Sequence, residues 1–160
     1  MESYTLHPMT EADKEQVRDL NQRCYRDLVE RQFGKWDEEV QRQFFENKWD
    51  SAKFQKILID GKMAGLLSLQ RHADHLFLSE IQVAPEFQGH GIGTTILRDI
   101  LDSAADSGLP VKLQVLNCNR AIALYRRLNF VTTGKTDTHV LLENTPKPTV
   151  QQTPIDESTK

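Results

Sequence analysis

Apolar residues along the first third of the chain recur as Val17, Leu20, Cys24 and Leu28, at i, i+3, i+7 and i+11, one stripe of an amphipathic helix. Thr10 can cap that helix, with Asp13 three residues later in the manner of a capping box, and Gly34 ends it beyond about Arg31. Ahead of it, Tyr4 to His7 suits a short strand stopped by Pro8. Asp37 stands where it can cap a second helix carrying Val40, Phe44 and Phe45. The period then shortens. Phe54 to Ile59 and Met63 to Leu69 flank Asp60-Gly61, a favoured hairpin turn, and predict two antiparallel strands. Leu76 to Val83 predicts a fourth strand. In regular alternation it sets Leu76, Leu78, Glu80 and Gln82 on one face and Phe77, Ser79, Ile81 and Val83 on the other.

Helical spacing returns with Ile92, Ile96, Leu97, Ile100, Leu101 and Ala104, and Ser107-Gly108-Leu109-Pro110 ends it with Gly in the cap and Pro beyond. Val111 to Leu116 reads as strand five and about Arg120 to Leu128 as a short helix. Phe130 to Thr133 and Thr138 to Leu142 form a terminal pair of strands. The order β-α-α-β-β-β-α-β-α-β-β predicts a mixed α/β fold in one domain, residues 1–144. Residues 145–160, rich in Thr, Gln, Ser and Pro, hold too few apolar side chains to fold and are expected to be disordered.

Composition narrows the function classes. The chain has 160 residues, enough for one proper core, and a formal net charge of −3 with mixed signs. That leaves no basic footprint for nucleic acid. Cys24 and Cys118 are far apart and outside any CxxC, so they read as free thiols in a reducing compartment. No apolar run approaches a membrane span, and Met1-Glu2-Ser3 lacks the basic and apolar character of a signal sequence. The expectation is a cytoplasmic protein, monomer or homodimer, with no nucleic-acid or membrane partner.

The chemistry concentrates in Gln88-Gly89-His90-Gly91-Ile92-Gly93, between strand four and the following helix. Three glycines at a strand-to-helix junction uncover backbone N–H groups, and the helix N-terminus adds about half a positive charge, which together favour phosphate. A P-loop would need Lys-Ser or Lys-Thr after the last glycine, and Thr94-Thr95 stand there. A dinucleotide fingerprint would need a small residue at position 94 or 96, and the chain has Thr94 and Ile96. What remains is a phosphate loop that works through backbone alone.

Gln-x-x-Gly-x-Gly after Val83-Ala84-Pro85 resembles the pyrophosphate loop of the GNAT superfamily of N-acetyltransferases. A second block agrees: Leu113-Gln114-Val115, Asn119, Ala121, Leu124-Tyr125 and Phe130 resemble that family's strand, Asn, helix and aromatic segment. The two blocks cover about residues 78 to 130, with looser similarity from Tyr4 to Glu143. The resemblance implies a central mixed sheet splayed between strands four and five, with helices on both faces. It also implies acetyl-coenzyme A as co-substrate, with no metal, and acetyl transfer to a small-molecule or peptide primary amine by direct attack in a ternary complex. Cofactor contacts would come from Ile81, Gln82 and Val83 of strand four, from Gln88, Gly89, His90, Gly91, Ile92, Gly93 and Thr94 of the loop, and from Asn119 and Tyr125.

Such a transfer needs a base, a donor to the developing oxyanion and an acid. A lysine-like amine has a pKa of about 10.4, so freeing it at pH 7 costs about 4.6 kcal/mol. By the resemblance Tyr125 is the acid that protonates the leaving sulfur, and Glu80 is either the base, directly or through a water, or a group that positions the substrate. Asn119 can cap the helix that follows it, and in the family it orders the coenzyme or a water near the thioester. A strand-four N–H between Ile81 and Val83 is the expected donor. Two departures stand out: Arg120 replaces a frequent Pro, and Asn129 replaces the Gly before Phe130, although Asn tolerates a left-handed cap. His72 and His75 lack a third ligand for a metal. Phe33, Trp36, Asp37, Glu38 and Glu39 could form an aromatic and acidic acceptor rim or could be packing and solvated groups. Two other classes are a coenzyme A-binding module without catalysis and a general nucleotide-binding protein. The first is disfavoured by the presence of Tyr125 and Glu80, the second by the missing loop lysine.

Overall fold

The computed structural model describes residues 3–51 and 53–146. The tail expected to be disordered lies, from residue 147 on, outside the described residues. The elements follow the apolar pattern closely: β1 (Thr5–Pro8), a 3-10 turn (Glu11–Asp13), α1 (Lys14–Phe33), α2 (Glu38–Ser51), β2 (Gln55–Ile59), β3 (Lys62–Arg71), β4 (Leu76–Val83), α3 (Ile92–Asp106), β5 (Val111–Leu116), α4 (Ala121–Arg127), β6 (Val131–Lys135) and β7 (His139–Asn144). Among the described residues no helix is long and apolar enough to cross a membrane.

Local chemistry explains the boundaries. The Asp13 carboxylate accepts the Thr10 backbone N–H at 2.9 Å, and Asp37 Oδ1 accepts from Val40 N at 3.1 Å, so both predicted N-termini are capped. Helix α3 closes with Leu109 N–H to Ala104 O and Gly108 N–H to Ala105 O. Helix α4 closes the same way, with Phe130 N–H to Tyr125 O and Asn129 N–H to Arg126 O. Asn129 sits at φ 71°, so it fills the left-handed position that glycine usually holds.

The strands form one mixed seven-stranded sheet in the order β1-β2-β3-β4-β5-β7-β6, with β7 inserted between β5 and β6. One core joins α3 to the sheet through Ile92, Ile96, Leu97 and Ile100 against Leu76, Leu78, Leu113 and Leu142, and takes in Tyr125 of α4 and Leu128 just beyond its end. A second core joins α1 and α2 to the opposite face through Val17, Leu20, Phe45 and Leu66.

Two features of β4 depart from a regular ladder. It is hydrogen-bonded to β3 along its length, but it pairs with β5 only at Leu76 and Phe77. Beyond those residues the two parallel strands part, as a splayed sheet requires. The second feature corrects the regular alternation expected for β4. Ser68 of β3 pairs with Glu80, whereas Leu69 pairs with Leu78, so Ser79 is an extra residue, a β-bulge. An inserted residue reverses which face every later side chain meets. Leu76 and Leu78 enter the α3 core; beyond the bulge Ile81 and Val83 pack on that core, while Glu80 and Gln82 bond to side chains of α1 and α2. Glu80 is therefore not in line with the two leucines.

Gly65 of β3 lets the strands meet closely there, since a Cβ on it would lie 2.0 Å from the Gln82 carbonyl oxygen. Gly65→Ala is expected to destabilise the protein by about 1–3 kcal/mol or more, because the clash is with backbone that cannot rotate away. Gly134→Ala, where the nearest atom is a leucine methyl at 3.8 Å, is the control and should be close to neutral. Urea unfolding of the two variants beside the parent checks both.

Candidate active site

Where β4 and β5 diverge, a cleft of about 470 Å³ opens, lined by Leu78 to Val83, by Leu113 to Val115, by Asn119 to Ala121 with Leu124 and Tyr125, and by Cys24, Tyr25 and Leu28 of α1. Glu80 and Tyr125 thus share one cleft although 45 positions separate them in the chain. Gln32 of α1 ties that helix to the segments after β5 and before β7, accepting from the Cys118 N–H at 3.0 Å and donating to the Thr138 carbonyl at 2.7 Å.

Backbone direction along β4 follows from one contact. The Gln82 carbonyl faces Gly65 of β3, and in a trans peptide the N–H of the next residue points the opposite way. The Val83 N–H therefore points to the side that β5 has vacated. The Ala84 N–H turns back to β3, bonding Ala64 O at 2.7 Å, which leaves the Val83 carbonyl on the open side as well. That carbonyl accepts from Gln88 Nε2 at 2.8 Å and from Cys24 Sγ at 3.4 Å. The Gln88 side chain is thus a latch between loop and strand. Of the three β4 positions expected to meet a cofactor, Gln82 directs its carbonyl to β3 and its side chain to α1.

The glycine loop wraps the start of α3. Gly89 and Gly91 adopt φ of 82° and 80°, the left-handed region that glycine enters without penalty, and no atom lies within 4 Å of where their side chains would stand. The first intrahelical bond runs from Thr95 N–H to Gly91 O, so the N–H groups of Ile92, Gly93 and Thr94 belong to the uncommitted first turn. Gly93 and Gln88 line the cleft itself. The Ile92 side chain is in the core, 3 % exposed, so only its backbone is presented to a ligand, and His90 is exposed.

Glu80 is buried, and each of its carboxylate oxygens is engaged. The Tyr25 hydroxyl donates to Oε2, Gln82 Nε2 donates to the same oxygen at 2.9 Å, and Lys48 Nζ pairs with Oε1 at 2.5 Å. Gln82 Nε2 also donates to Asn21 Oδ1 at 3.0 Å. Burial and the neighbouring Glu80 charge push the Tyr25 phenol well above its ordinary pKa, and burial followed by the same charge raises Tyr125 too. Both phenols keep their protons across the physiological range. Tyr125 lies edge-on to Phe130, and its hydroxyl has no hydrogen-bond partner among the described residues. Asn119 caps α4, its Oδ1 accepting the Ala121 N–H at 2.8 Å.

Tyr25, Asn21 and Lys48 were absent from the residues singled out by sequence. The available signal was faint: Asn21 and Tyr25 stand four apart beside the apolar stripe of α1, facing the same way. Nothing local marks Lys48. The acidic rim near Trp36 is largely occupied: Asp37 caps α2, Glu38 accepts from Trp36 Nε1 and Glu39 pairs with Arg42. His72 and His75 stack on each other, and among the described residues no group of three ligating side chains could hold a metal.

Comparison with known proteins bears on the family and the fold. The family model described as "Acetyltransferase (GNAT) family" matches residues 14–130. Streptothricin acetyltransferase of Streptomyces lavendulae is 36 % identical over 89 residues, 53 % of this chain and 47 % of that protein. The ribosomal protein bS18-alanine N-acetyltransferase of Salmonella typhimurium is 33 % identical over 97 residues, 59 % of this chain and 64 % of its own length. The chain thus spans about half to two thirds of these curated relatives. A PaiA N-acetyltransferase from Thermoplasma acidophilum, solved in complex with coenzyme A, superposes with a TM-score of 0.72 at 16 % identity, covering 89 % of this chain and 99 % of that one.

The Tyr25–Glu80 contact predicts a pH signature. Tyr25→Phe should cost about 1.5–3 kcal/mol near pH 8, the scale of a hydrogen bond to a charged group. In the unfolded chain the phenol ionises at about pH 10, while the folded state keeps its proton to higher pH, so this residue's stabilisation fades as pH rises past about 10. Phenylalanine has no such proton. The deficit of the variant should therefore shrink between about pH 8 and about pH 10.5, as read by urea unfolding at each pH.

Proposed function

The chain belongs to the acetyltransferase (GNAT) family, and from that premise we propose that it transfers the acetyl group of acetyl-coenzyme A to a primary amine within a ternary complex. The observation that carries this reading is the shared cleft. It brings a buried carboxylate, a protonated tyrosine and an unpaired strand edge to one place, beside a loop of exposed helix N-terminal amides.

The residues present fit acetyl-coenzyme A. Open space over Gly89 and Gly91 and the first amides of α3 suit a pyrophosphate, and His90 and Thr94 flank them. The β4 edge beyond Phe77 can bond an amide-bearing arm as an added strand would. When bound, acetyl-coenzyme A supplies a thioester that amines attack. Tyr125, its proton firmly held and its hydroxyl otherwise without a partner among the described residues, donates to the leaving sulfur. The Val83 N–H, directed to the open side, is the donor toward the carbonyl oxygen. Glu80 accepts the proton that the amine must lose. Asn119 holds the start of α4 and with it the position of Tyr125. The acceptor is a small-molecule or peptide amine; the relatives' names carry one of each kind, streptothricin and an alanine of ribosomal protein bS18. Two free cysteines support a reducing compartment such as the cytoplasm.

Two tests follow. Acetyl-coenzyme A should stabilise the protein against heat, by about 2.7 kcal/mol at a hundredfold excess over Kd, while ATP and NAD should not. Gly91→Asp, which sets a carboxylate beside the phosphates, should abolish that gain yet leave the apo protein folded by circular dichroism. Equal stabilisation by ATP, or native coenzyme affinity in the variant, would remove the basis for this loop assignment.

A turnover screen across polyamines, aminoglycosides, amino acids and peptide N-termini then identifies the acceptor. With it, Tyr125→Phe should retain coenzyme binding and lose about 10²-fold or more in kcat. Undiminished turnover in that variant, where chemistry limits the rate, would make Tyr125 a packing residue.

A further inference from the structure

Lys48 already places a primary ammonium on the carboxylate that an acceptor would need. Its Nζ lies 2.5 Å from Glu80 Oε1, yet the two partners are very unequally buried: the Glu80 side chain is 3 % exposed and that of Lys48 is 45 % exposed. The ammonium reaches the buried carboxylate while nearly half of the Lys48 side chain stays exposed at the surface of α2. Withdrawing it needs rotation about side-chain bonds and no change in the fold.

The surroundings of Glu80 also hold hydrogen-bonding capacity that Lys48 does not use. Gln82, 5 % exposed and lining the cleft, has no donor to its Oε1 among the described residues. Ser68, 1 % exposed and paired with Glu80 across the β3–β4 ladder, has no partner for its hydroxyl among them either. Buried polar atoms in native proteins nearly always find partners, so two orphans beside one carboxylate point to a ligand with donors. An alkylammonium carries three. Tyr25 and Gln82 meanwhile grip the other carboxylate oxygen, so Glu80 keeps its orientation when Lys48 leaves.

We propose that Lys48 is a tethered stand-in for the acceptor: the Glu80–Gln82 corner is a subsite for a primary alkylammonium, occupied by Lys48 until the acceptor's own ammonium displaces it. The inference rests on the acetyltransferase reading above and deepens it. Lys48 thereby sets specificity. A neutral nucleophile such as an alcohol cannot replace an ammonium on a buried carboxylate, because removal of one charge leaves the other unpaired. A cationic amine on a flexible aliphatic arm can, since it reproduces the chemistry of the lysine it evicts.

The probe is n-butylamine, the lysine side chain without its backbone, with n-butanol as the neutral counterpart. Lys48→Ala removes the competitor, and Lys48→Met keeps the arm without its charge. Binding of n-butylammonium is read by titration calorimetry and its acetylation by steady-state kinetics. Thermal stabilisation by acetyl-coenzyme A is measured in all three proteins. Both variants should bind n-butylammonium and use it with an affinity and KM improved at least tenfold, while n-butanol stays inert and the coenzyme shift is unchanged. If acetyl-coenzyme A stabilises all three proteins but n-butylammonium gains nothing from loss of Lys48, or binds more weakly, this inference is overturned and the acetyltransferase reading stands. If acetyl-coenzyme A stabilises none of them, both fall together.

Discussion

Everything at the site depends on how β4 is held. On one side it is locked to β3, with Gly65 admitting the Gln82 carbonyl at a separation that no side chain would allow. On the other side it is released from β5 after two paired residues. A strand buried in the middle of a sheet ordinarily spends its backbone groups on both neighbours. Here one set is left over, and the cleft is the space beside it. The lock and the release belong together, because a strand freed on one edge keeps its register only if the other edge fixes it.

The bulge at Ser79 adds the second ingredient. Without it Glu80 and Gln82 would follow Leu76 and Leu78 into the apolar core under α3, where a carboxylate would be left without partners at heavy cost. One extra residue turns them instead toward α1 and α2, where Tyr25, Asn21 and Lys48 meet them. The same insertion delivers Ile81 and Val83 to the core that Leu78 leaves, so packing is kept on both faces. A single irregularity therefore serves the core and the site at once. It also explains how a charged residue is carried by a central strand in which no residue is exposed.

Recognition of the coenzyme, in the reading offered above, is mostly a backbone matter, through loop amides, a strand edge and the first turn of α3. Backbone recognition demands little of side chains beyond their absence. Glycine at two left-handed positions supplies that, and Gln88 contributes by bonding to Val83 rather than by facing outward. The proposed acceptor side differs. It is built from side chains of α1, α2, β3 and β4 that meet only in space, and its charge balance, one buried carboxylate against one half-exposed ammonium, is set by those meetings.

That contrast marks what the sequence by itself determined. Element order, the caps at Thr10 and Asp37, the Asp60-Gly61 hairpin, the left-handed Asn129 and the glycine loop are all local, encoded by residues within a few positions of one another, and each is found where the apolar period and turn chemistry placed it. Glu80 and Tyr125 were legible through resemblance to a family pattern, and the fold brings both into the cleft. Tertiary structure alone decided the rest. The bulge at Ser79 leaves no mark in the alternation of Leu76 to Val83, because an inserted residue is defined by the strand opposite it. The insertion of β7 beside β5 depends on which edges remain open after the sheet assembles. Tyr25, Asn21 and Lys48 became site residues because α1 and α2 pack over the turned face of β4. Separations of 55, 61 and 32 positions along the chain, closed by hydrogen bonds, are beyond the reach of any local period.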